Sequence, residues 1–318
     1  MNFPIPQHLS KEQLAATLRA QLADTGISDF EVVDHIDSTN SSLMQRSFLD
    51  HPRAGAMLWA LTQTSGRGRR GRVWQSSPEH ALTFSLSFEF EVRQHAKLSS
   101  LSPAAGLKLA MALSKIAPGV QVKWPNDLWR GDQKIAGVLL EATQRNKIQR
   151  IVIGIGVNLF WPREEHLRGL TQEEESGSVK PQSPGGMFDQ PIDIMMKLEV
   201  LSACARAMDK LHQEVQDSAM HSQVWFENWS TFDALAGQRV TLFQDQQALA
   251  NGINAGVDID GAFLMRPSCP NLTTLRLTPY SPPHNATKSE KFLYAAPHKI
   301  VTLSQTLSKY GVKLQVSP

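Results

Sequence analysis

Seven consecutive residues, Gly66 to Arg72, contain four arginines and three glycines, and Val73-Trp74 closes the run. Glycine lets the backbone pass through positive φ and come close to a ligand, while guanidinium groups present planar forks that match phosphate oxygens. The chemistry indicated is the capture of an anion. A second group lies at Lys123-Trp124-Pro125-Asn126-Asp127 and a third at Lys134-Ile135-Ala136-Gly137. Two lysines, an amide and a carboxylate on adjacent strand ends can bind an acid, a phosphate or a metal. Each group also has a plainer reading. The arginine loop would serve as a solvated connector or a non-specific nucleic-acid patch, and Pro125-Asn126-Asp127 as a hairpin turn with its lysines in water. The loop is not a P-loop, because no Gly-Lys-Ser/Thr follows its glycines, and it lacks the strand, turn and helix order of a dinucleotide fingerprint.

Composition narrows the choice. The chain has 318 residues and a formal net charge of only +2, from 32 Lys+Arg against 30 Asp+Glu, so the arginines are a local device rather than part of a generally basic surface. Its length suggests about two domains. Cys204 and Cys269 stand far apart with no paired metal-ligand spacing, which argues against a disulfide scaffold or a structural zinc site. No basic stretch leads into an apolar h-region, and no apolar run approaches the ~18 residues of a membrane span. The expectation is a soluble cytoplasmic protein with no membrane partner.

Periodicity places the chemical groups on elements. Ser10-Lys11-Glu12-Gln13 reads as a capping box ahead of Leu14, Leu18 and Leu22, a short helix stopped by Gly26. Phe30 to Ile36 is strand-like, and Asp37-Ser38-Thr39-Asn40 is a turn able to cap a helix running toward Leu49. Gly55 to Thr62 is a strand feeding the arginine loop. Beyond the loop Leu82, Phe84, Leu86, Phe88 and Phe90 alternate with Thr83, Ser85, Ser87 and Glu89, the pattern of a strand with one buried face. Pro103 to Ile116 is helical in pattern. Val120 to Trp124, Ile135 to Ala142 and Ile148 to Leu159 read as strands, the last two joined near Arg145-Asn146. A stretch at about 161–186, with Glu173-Glu174-Glu175 and many Ser, Gly and Pro, reads as a surface insertion. Helices are expected over Ile192 to Leu211 and Val224 to Leu235. Short strands then follow at Arg239 to Phe243, Ala248 to Val257 and Ala262 to Met265, with Asp258 to Gly261 as a tight turn. The class is α/β or α+β with a mixed sheet, in two parts, 1–236 and a small β-barrel at 237–318.

Taken in order, Asp37-Ser38-Thr39-Asn40, Gln63 ahead of Gly66 to Arg72, Trp74, Lys123 to Asp127, Lys134 to Glu141 and Gly154-Ile155-Gly156-Val157-Asn158 resemble the signature of biotin protein ligases. The resemblance runs from about Phe30 to Asn158. It continues weakly through Gly237 to Val240 and Gly256 to Phe263, which are similar to the family's SH3-like C-terminal barrel. It implies an α+β fold, a mixed β-sheet flanked by helices of the class II synthetase-like biotin/lipoate ligase type. It implies a reaction in which biotin and ATP, the latter with Mg2+, give biotinyl-5′-AMP, followed by transfer of biotin to a lysine of the biotin carboxyl carrier protein of acetyl-CoA carboxylase. By the same resemblance Ser38, Thr39, Asn40 and Gln63 face the biotin ring, and Gly137 belongs to the same pocket. Arg67, Gly68 and Arg69 hold the acyl-adenylate phosphate. Lys134 bridges carboxylate and phosphate as the main catalytic cation, and Asp127 orients and deprotonates the incoming lysine. ATP contacts are implied for Arg69, Arg72, Lys123, Asn126, Trp74 against adenine and Asn158 at its edge. No dedicated metal ligands are implied.

Two departures stand out. Some family members carry an N-terminal winged helix-turn-helix, and the 36 residues before Asp37 are too few for one, so no specific DNA binding is expected. After Ser268-Cys269-Pro270 the family's closing strand is not evident. Both monomers and homodimers occur in the family. The rival readings are a lipoate protein ligase, which shares fold and acyl-adenylate strategy, a nucleic-acid-binding regulator that uses the arginine loop, and an inactive biotin-binding protein.

Overall fold

The computed structural model describes residues 9–46, 55–69, 73–74, 79–91, 98–161, 184–217, 225–244, 247–268, 275–277, 301–303 and 313–316. Its first element, α1 (Lys11–Gln21), starts at the expected capping box, with the Gln13 N–H donating to the Ser10 hydroxyl and the Ser10 N–H to Gln13 Oε1. Next come β1 (Ile27–Ile36), α2 (Thr39–Gln45), β2 (Gly55–Gln63), β3 (Ala81–Glu91), α3 (Leu98–Leu113), β4 (Val120–Lys123), β5 (Asp127–Arg130), β6 (Gln133–Arg145) and β7 (Ile148–Asn158). These seven strands form one mixed sheet in the order β1-β2-β3-β7-β6-β5-β4, with β1 and β2 parallel and the other pairs antiparallel.

Alternation along β3 separates the two faces of the sheet. Leu82, Phe84, Leu86 and Phe88 join Leu14 and Leu18 of α1, Leu101 to Leu113 of α3, and Leu198 to Leu211 of α4 (Ile194–Gln216) in the main core. The opposite face is covered by α2, where Leu43 packs with Ala56, Leu58 and Val152. This corrects the expectation of one buried face on β3, because Thr83, Ser85, Ser87 and Glu89 are buried too. Polar residues tolerate that position because they are hydrogen-bonded there: Thr83 to the Ala60 carbonyl, Ser85 to Asn40, Glu89 to Arg150.

Other expectations shift as well. The helix expected toward Leu49 ends at Gln45, and α3 begins at Leu98 with Pro103 inside it. The second helix expected over Val224 to Leu235 is only α5 (Trp229–Phe232), because Trp225, Phe226 and Trp229 are anchored in the core from a tighter, irregular path. The tight β6–β7 turn falls on Asn146, at φ 55. The insertion at about 161–186 lies mostly outside the described residues, and only its two ends, 161 and 184–186, are described. Cys204 is buried and unpaired, and burial pushes its thiol up to about 12; Cys269 lies outside the described residues. Among the described residues no helix is long and apolar enough to cross a membrane.

The remaining strands are β8 (Arg239–Gln244), β9 (Gln247–Val257), β10 (Phe263–Pro267), β11 (Leu275–Leu277), β12 (Val301–Leu303) and β13 (Lys313–Val316). They form a six-stranded sheet in the order β12-β11-β10-β9-β8-β13, open between its ends among the described residues. Strands therefore do follow Pro270, and β13 pairs with β8, far from β11 in the order. The core of this sheet also takes in Trp129 of β5. Contacts to the first sheet are specific: Trp124 Nε1 donates to the Gly261 carbonyl at 3.0 Å and the Ser100 hydroxyl to the Asp260 carbonyl at 2.6 Å. Gly261 sits at φ +73, and a Cβ there would lie 2.4 Å from Phe226, so the turn needs glycine on both counts.

Buried Asp233 links the two sheets. Burial raises its pKa, while hydrogen bonds from the Leu235 N–H, Asn254 and Trp229 hold it in the opposite direction. Asn254 also donates to the Leu235 carbonyl and accepts from the Gly256 N–H. Asn254→Ala takes the Gly256 N–H's acceptor and one hydrogen bond each from Asp233 and the Leu235 carbonyl, which keep other partners, and is expected to cost about 1–3 kcal/mol, read as a lower midpoint in denaturant-induced unfolding.

Candidate active site

Asp37 closes β1 and turns the chain by accepting the Ser38 N–H, and Ser38 then caps α2 by accepting the Ser41 N–H. Gln63, at the end of β2, reaches the same helix end: its Oε1 accepts the Thr39 N–H at 2.8 Å. Below them Ser85 of β3 donates to Asn40 Oδ1 at 2.6 Å and meets the Thr39 hydroxyl at 2.6 Å. Asn40 Nδ2 donates to Glu141 Oε2 at 2.8 Å and to the Leu139 carbonyl at 3.3 Å. Ser38, Thr39, Asn40 and Gln63 are thus one network. The capping role foreseen for Ser38 to Asn40 is present, and the hydrogen bonds that build the helix end also fix its side chains.

Next to that network the sheet is nearly bare. Gly137 of β6 pairs across the strands with Gly156 of β7, and Gly154 lies two residues earlier on the same face as Gly156. A Cβ on Gly154 would stand 2.3 Å from Asn40 Oδ1, and one on Gly156 would stand 2.3 Å from the Trp74 ring. Glycine at these two positions lets Asn40 and Trp74 lie flat on the backbone. Trp74 therefore packs on the β6–β7 glycines. Its Nε1 is buried with no partner among the described residues.

The arginine loop is pinned at both ends. Arg67 and Val73 form an antiparallel bridge, and the Trp74 N–H donates to the Gly66 carbonyl. From the loop Arg67 donates to the Ser41 hydroxyl at 2.8 Å and stands 3.5 Å from Glu141, while Arg69 donates to Asn126 Oδ1 at 2.9 Å. Gly68 lies between them, and Arg72 is outside the described residues. One loop thereby touches both the α2 network and the Lys123–Asp127 turn.

That turn joins β4 to β5 through a cis Trp124–Pro125 bond, so it is a hairpin, as its plainer reading had it. Its lysines are engaged, Lys123 by burial and the half-buried Lys134 by an ion pair. Lys134 Nζ pairs with Asp127 Oδ1 at 2.7 Å and lies 5.7 Å from the Trp74 ring centroid. Lys123 is only 6% exposed, with its Nζ 4.3 Å from the Trp129 ring centroid. Asn126 is buried and donates to the Val138 carbonyl. Asn158 is buried at the end of β7, where its carbonyl accepts the Met187 N–H; the Gly185 N–H donates to the Lys134 carbonyl. Chain 184–188 thus lies beside both Lys134 and Asn158.

Two site residues escaped the sequence reading. Ser85 was placed on a solvent face by strict alternation, and Glu141 stood inside a recognised motif with no role. Its position after the apolar run Val138-Leu139-Leu140 was the available signal. A depression of about 820 Å3 lined by α1, α3 and α4 residues such as Gln21, Ala112 and Arg206 includes none of these groups.

Burial lowers the Lys123 pKa to about 8, Lys134 pushes it the same way and Asp127 opposes. The unfolded side chain, at 10.5, binds more protons between about pH 8 and 10.5, so Lys123 makes stability rise with pH across that window; below about pH 8 its unfavourable contribution is constant. NMR of the reductively methylated protein is expected to show one lysine titrating near pH 8, lost in Lys123→Met. A spectrum in which every lysine titrates above 10 would exclude the buried cation.

Known proteins carry the same motifs. Residues 32–158 match the model of the Biotin/lipoate A/B protein ligase family. The chain is 31% identical over 236 residues to the bifunctional ligase/repressor BirA of Salmonella typhimurium, covering 74% of this chain and 68% of that one. It is 29% identical over 236 residues to the biotin–(acetyl-CoA-carboxylase) ligase of Paracoccus denitrificans, with coverage of 72% and 91%. In fold it is similar to the biotin protein ligase from Aquifex aeolicus in complex with biotin and ATP, with a TM-score of 0.61 at 20% identity over 91% of this chain and 100% of that chain. Sequence likeness of that extent, over a sheet that gathers the shared motifs at one place, makes this chain a member of the biotin protein ligase family.

Proposed function

We propose that the protein joins biotin to ATP and then transfers it to a lysine of the biotin carboxyl carrier protein of acetyl-CoA carboxylase. The observation that carries this reading is the double attachment of the arginine loop. Through Arg67–Ser41 and Arg69–Asn126 it spans from the polar end of α2 to the lysine-bearing turn. A ligand with a ureido head at one end and a carboxylate to be adenylylated at the other matches that layout.

In the first step a biotin carboxylate oxygen attacks the α-phosphorus of ATP, which arrives as its Mg2+ complex, and pyrophosphate leaves. Negative charge gathers on one phosphate, and fixed cations are the effective remedy. Lys134 bridges carboxylate and phosphate, with Arg67, Gly68 and Arg69 on the phosphate oxygens. Ser38, Thr39, Asn40 and Gln63 serve the ureido group over the Gly137 floor. Lys123, Asn126, Arg72 and Asn158 face ATP, and Trp74 lies against adenine once it leaves the glycines. In the second step the acceptor amine attacks the acyl carbon and AMP leaves, with Asp127 orienting the amine and taking its proton. A boundary near residue 237, and a C-terminal part of SH3-like type, belong to the same reading.

The direct test is biotin-dependent exchange of labelled pyrophosphate into ATP without acceptor, with lipoate in parallel. Exchange with biotin alone is expected, and exchange with lipoate alone would move the chain to the sister activity. Lys134→Ala is expected to lower the single-turnover rate of adenylate formation by about 100-fold or more, and an unchanged rate would remove Lys134 from the chemistry. Arg69→Gly is expected instead to leave adenylation working while free biotinyl-AMP and biotin on bystander lysines both rise. Normal turnover with neither rise would release Arg69 from the role of retaining the intermediate.

A further inference from the structure

Arg150 is completely buried, a costly place for a guanidinium, and nothing in the reaction uses it directly. It sits on β7 directly across from Glu89 of β3 and donates from Nε and Nη2 to Glu89 Oε1, at 2.9 and 2.5 Å. Its third nitrogen points elsewhere. Nη1 donates to the Leu43 carbonyl at 3.3 Å and the Arg46 carbonyl at 2.5 Å, which are the last turn and the C-cap of α2.

A helix of seven residues cannot hold itself together, and its last carbonyls have no partners within the helix. In α2 those carbonyls meet a buried cation, which also suits the negative end of the helix dipole. From the outer side the Arg46 guanidinium binds Asp29 and Glu31 of β1. On β7, Arg150 shares a face with Val152, Gly154 and Gly156. One stripe of that strand therefore grips the C-terminal end of α2 with Arg150, packs its middle with Val152 and receives Asn40 on Gly154.

We propose that the Arg150–Glu89 pair is the positioning device of the biotin-binding end of the site: it fixes α2 from its far end and so sets Ser38, Thr39 and Asn40 before biotin arrives. The inference rests on the biotin reading of α2. Glu89 neutralises and aims the guanidinium, and the two carbonyls are what the guanidinium is aimed at. Lysine would keep the charge pair but not the fork.

The test separates positioning from stability. Arg150→Lys is expected to raise the KM for biotin roughly tenfold and the KM for ATP by much less, because α2 carries three of the groups that serve biotin and touches the phosphate end only through Ser41 and Arg67. In Glu89→Met/Arg150→Met, apolar groups replace the whole pair, which typically restores or improves stability. The double variant is expected to be more stable than either single Met substitution, though short of the unaltered enzyme because the Leu43 and Arg46 carbonyls lose their donor, and yet to keep the raised biotin KM. A biotin KM within about twofold of normal in either variant overturns the proposal. Hydrogen exchange on the unaltered enzyme needs no variant: the α2 amides are expected to be protected without biotin, and protection that appears only on adding biotin overturns it equally. Failure of the unaltered enzyme to exchange pyrophosphate with biotin would instead strike the ligase reading.

Discussion

Cations crowded at one place repel each other, and the arrangement of this site follows from how that repulsion is relieved. Asp127 stands against Lys134, Glu141 stands between Arg67 and Asn40, and Lys123 is pressed onto the face of Trp129. The counter-groups come from two neighbouring strands: Asp127 and Trp129 from β5, whose Trp129 shares its core with the C-terminal sheet, and Glu141 from β6. The charge problem therefore binds local chemistry to global architecture. Bringing the positive groups together is possible only when three strands and a loop are in register, and neighbouring β6–β7 pairing supplies that register over ten residue pairs.

The two sides of the sheet do different work. One side is an ordinary apolar core against three helices. The other carries a polar lattice of hydroxyls, amides and carboxylates under a single short helix, with nearly every group satisfied by another of the set. Such a lattice has few alternative arrangements, since moving one member leaves a buried partner unsatisfied. The polar lattice under α2 and the arginine loop, pinned at Gly66 and Trp74, are thus two differently built parts of one site.

Much of this was legible in the chain. Capping boxes, period-two strands and the Asn146 turn are local signals, written in neighbouring residues. The motif residues were legible because their chemistry shows in their types: arginines beside glycines, lysines beside amides. What was not legible depends on what covers a surface. Ser85 and Glu89 look like solvent-facing residues in an alternating strand, and only the presence of α2 above them makes them interior. Arg150 looks like one more charge in a strand, because its partners at positions 43, 46 and 89 lie far away in sequence. The helix expected over Val224 to Leu235 failed for the same reason: its aromatic spacing satisfied a helical pattern, but the residues anchor an irregular path between two sheets.

Gly137, Gly154 and Gly156 set a limit in one direction only. The floor on which Asn40 and Trp74 lie is main chain there, so it is already as deep as this backbone permits. Any replacement adds atoms, and none can take atoms away. A lineage descending from this chain could therefore push Asn40 or Trp74 outward by a single substitution in β7, but could deepen the floor only by moving whole elements, a far slower path. Packing on bare backbone is in that sense a ratchet, with the largest group it can seat fixed by the spacing of strands rather than by the choice of side chains.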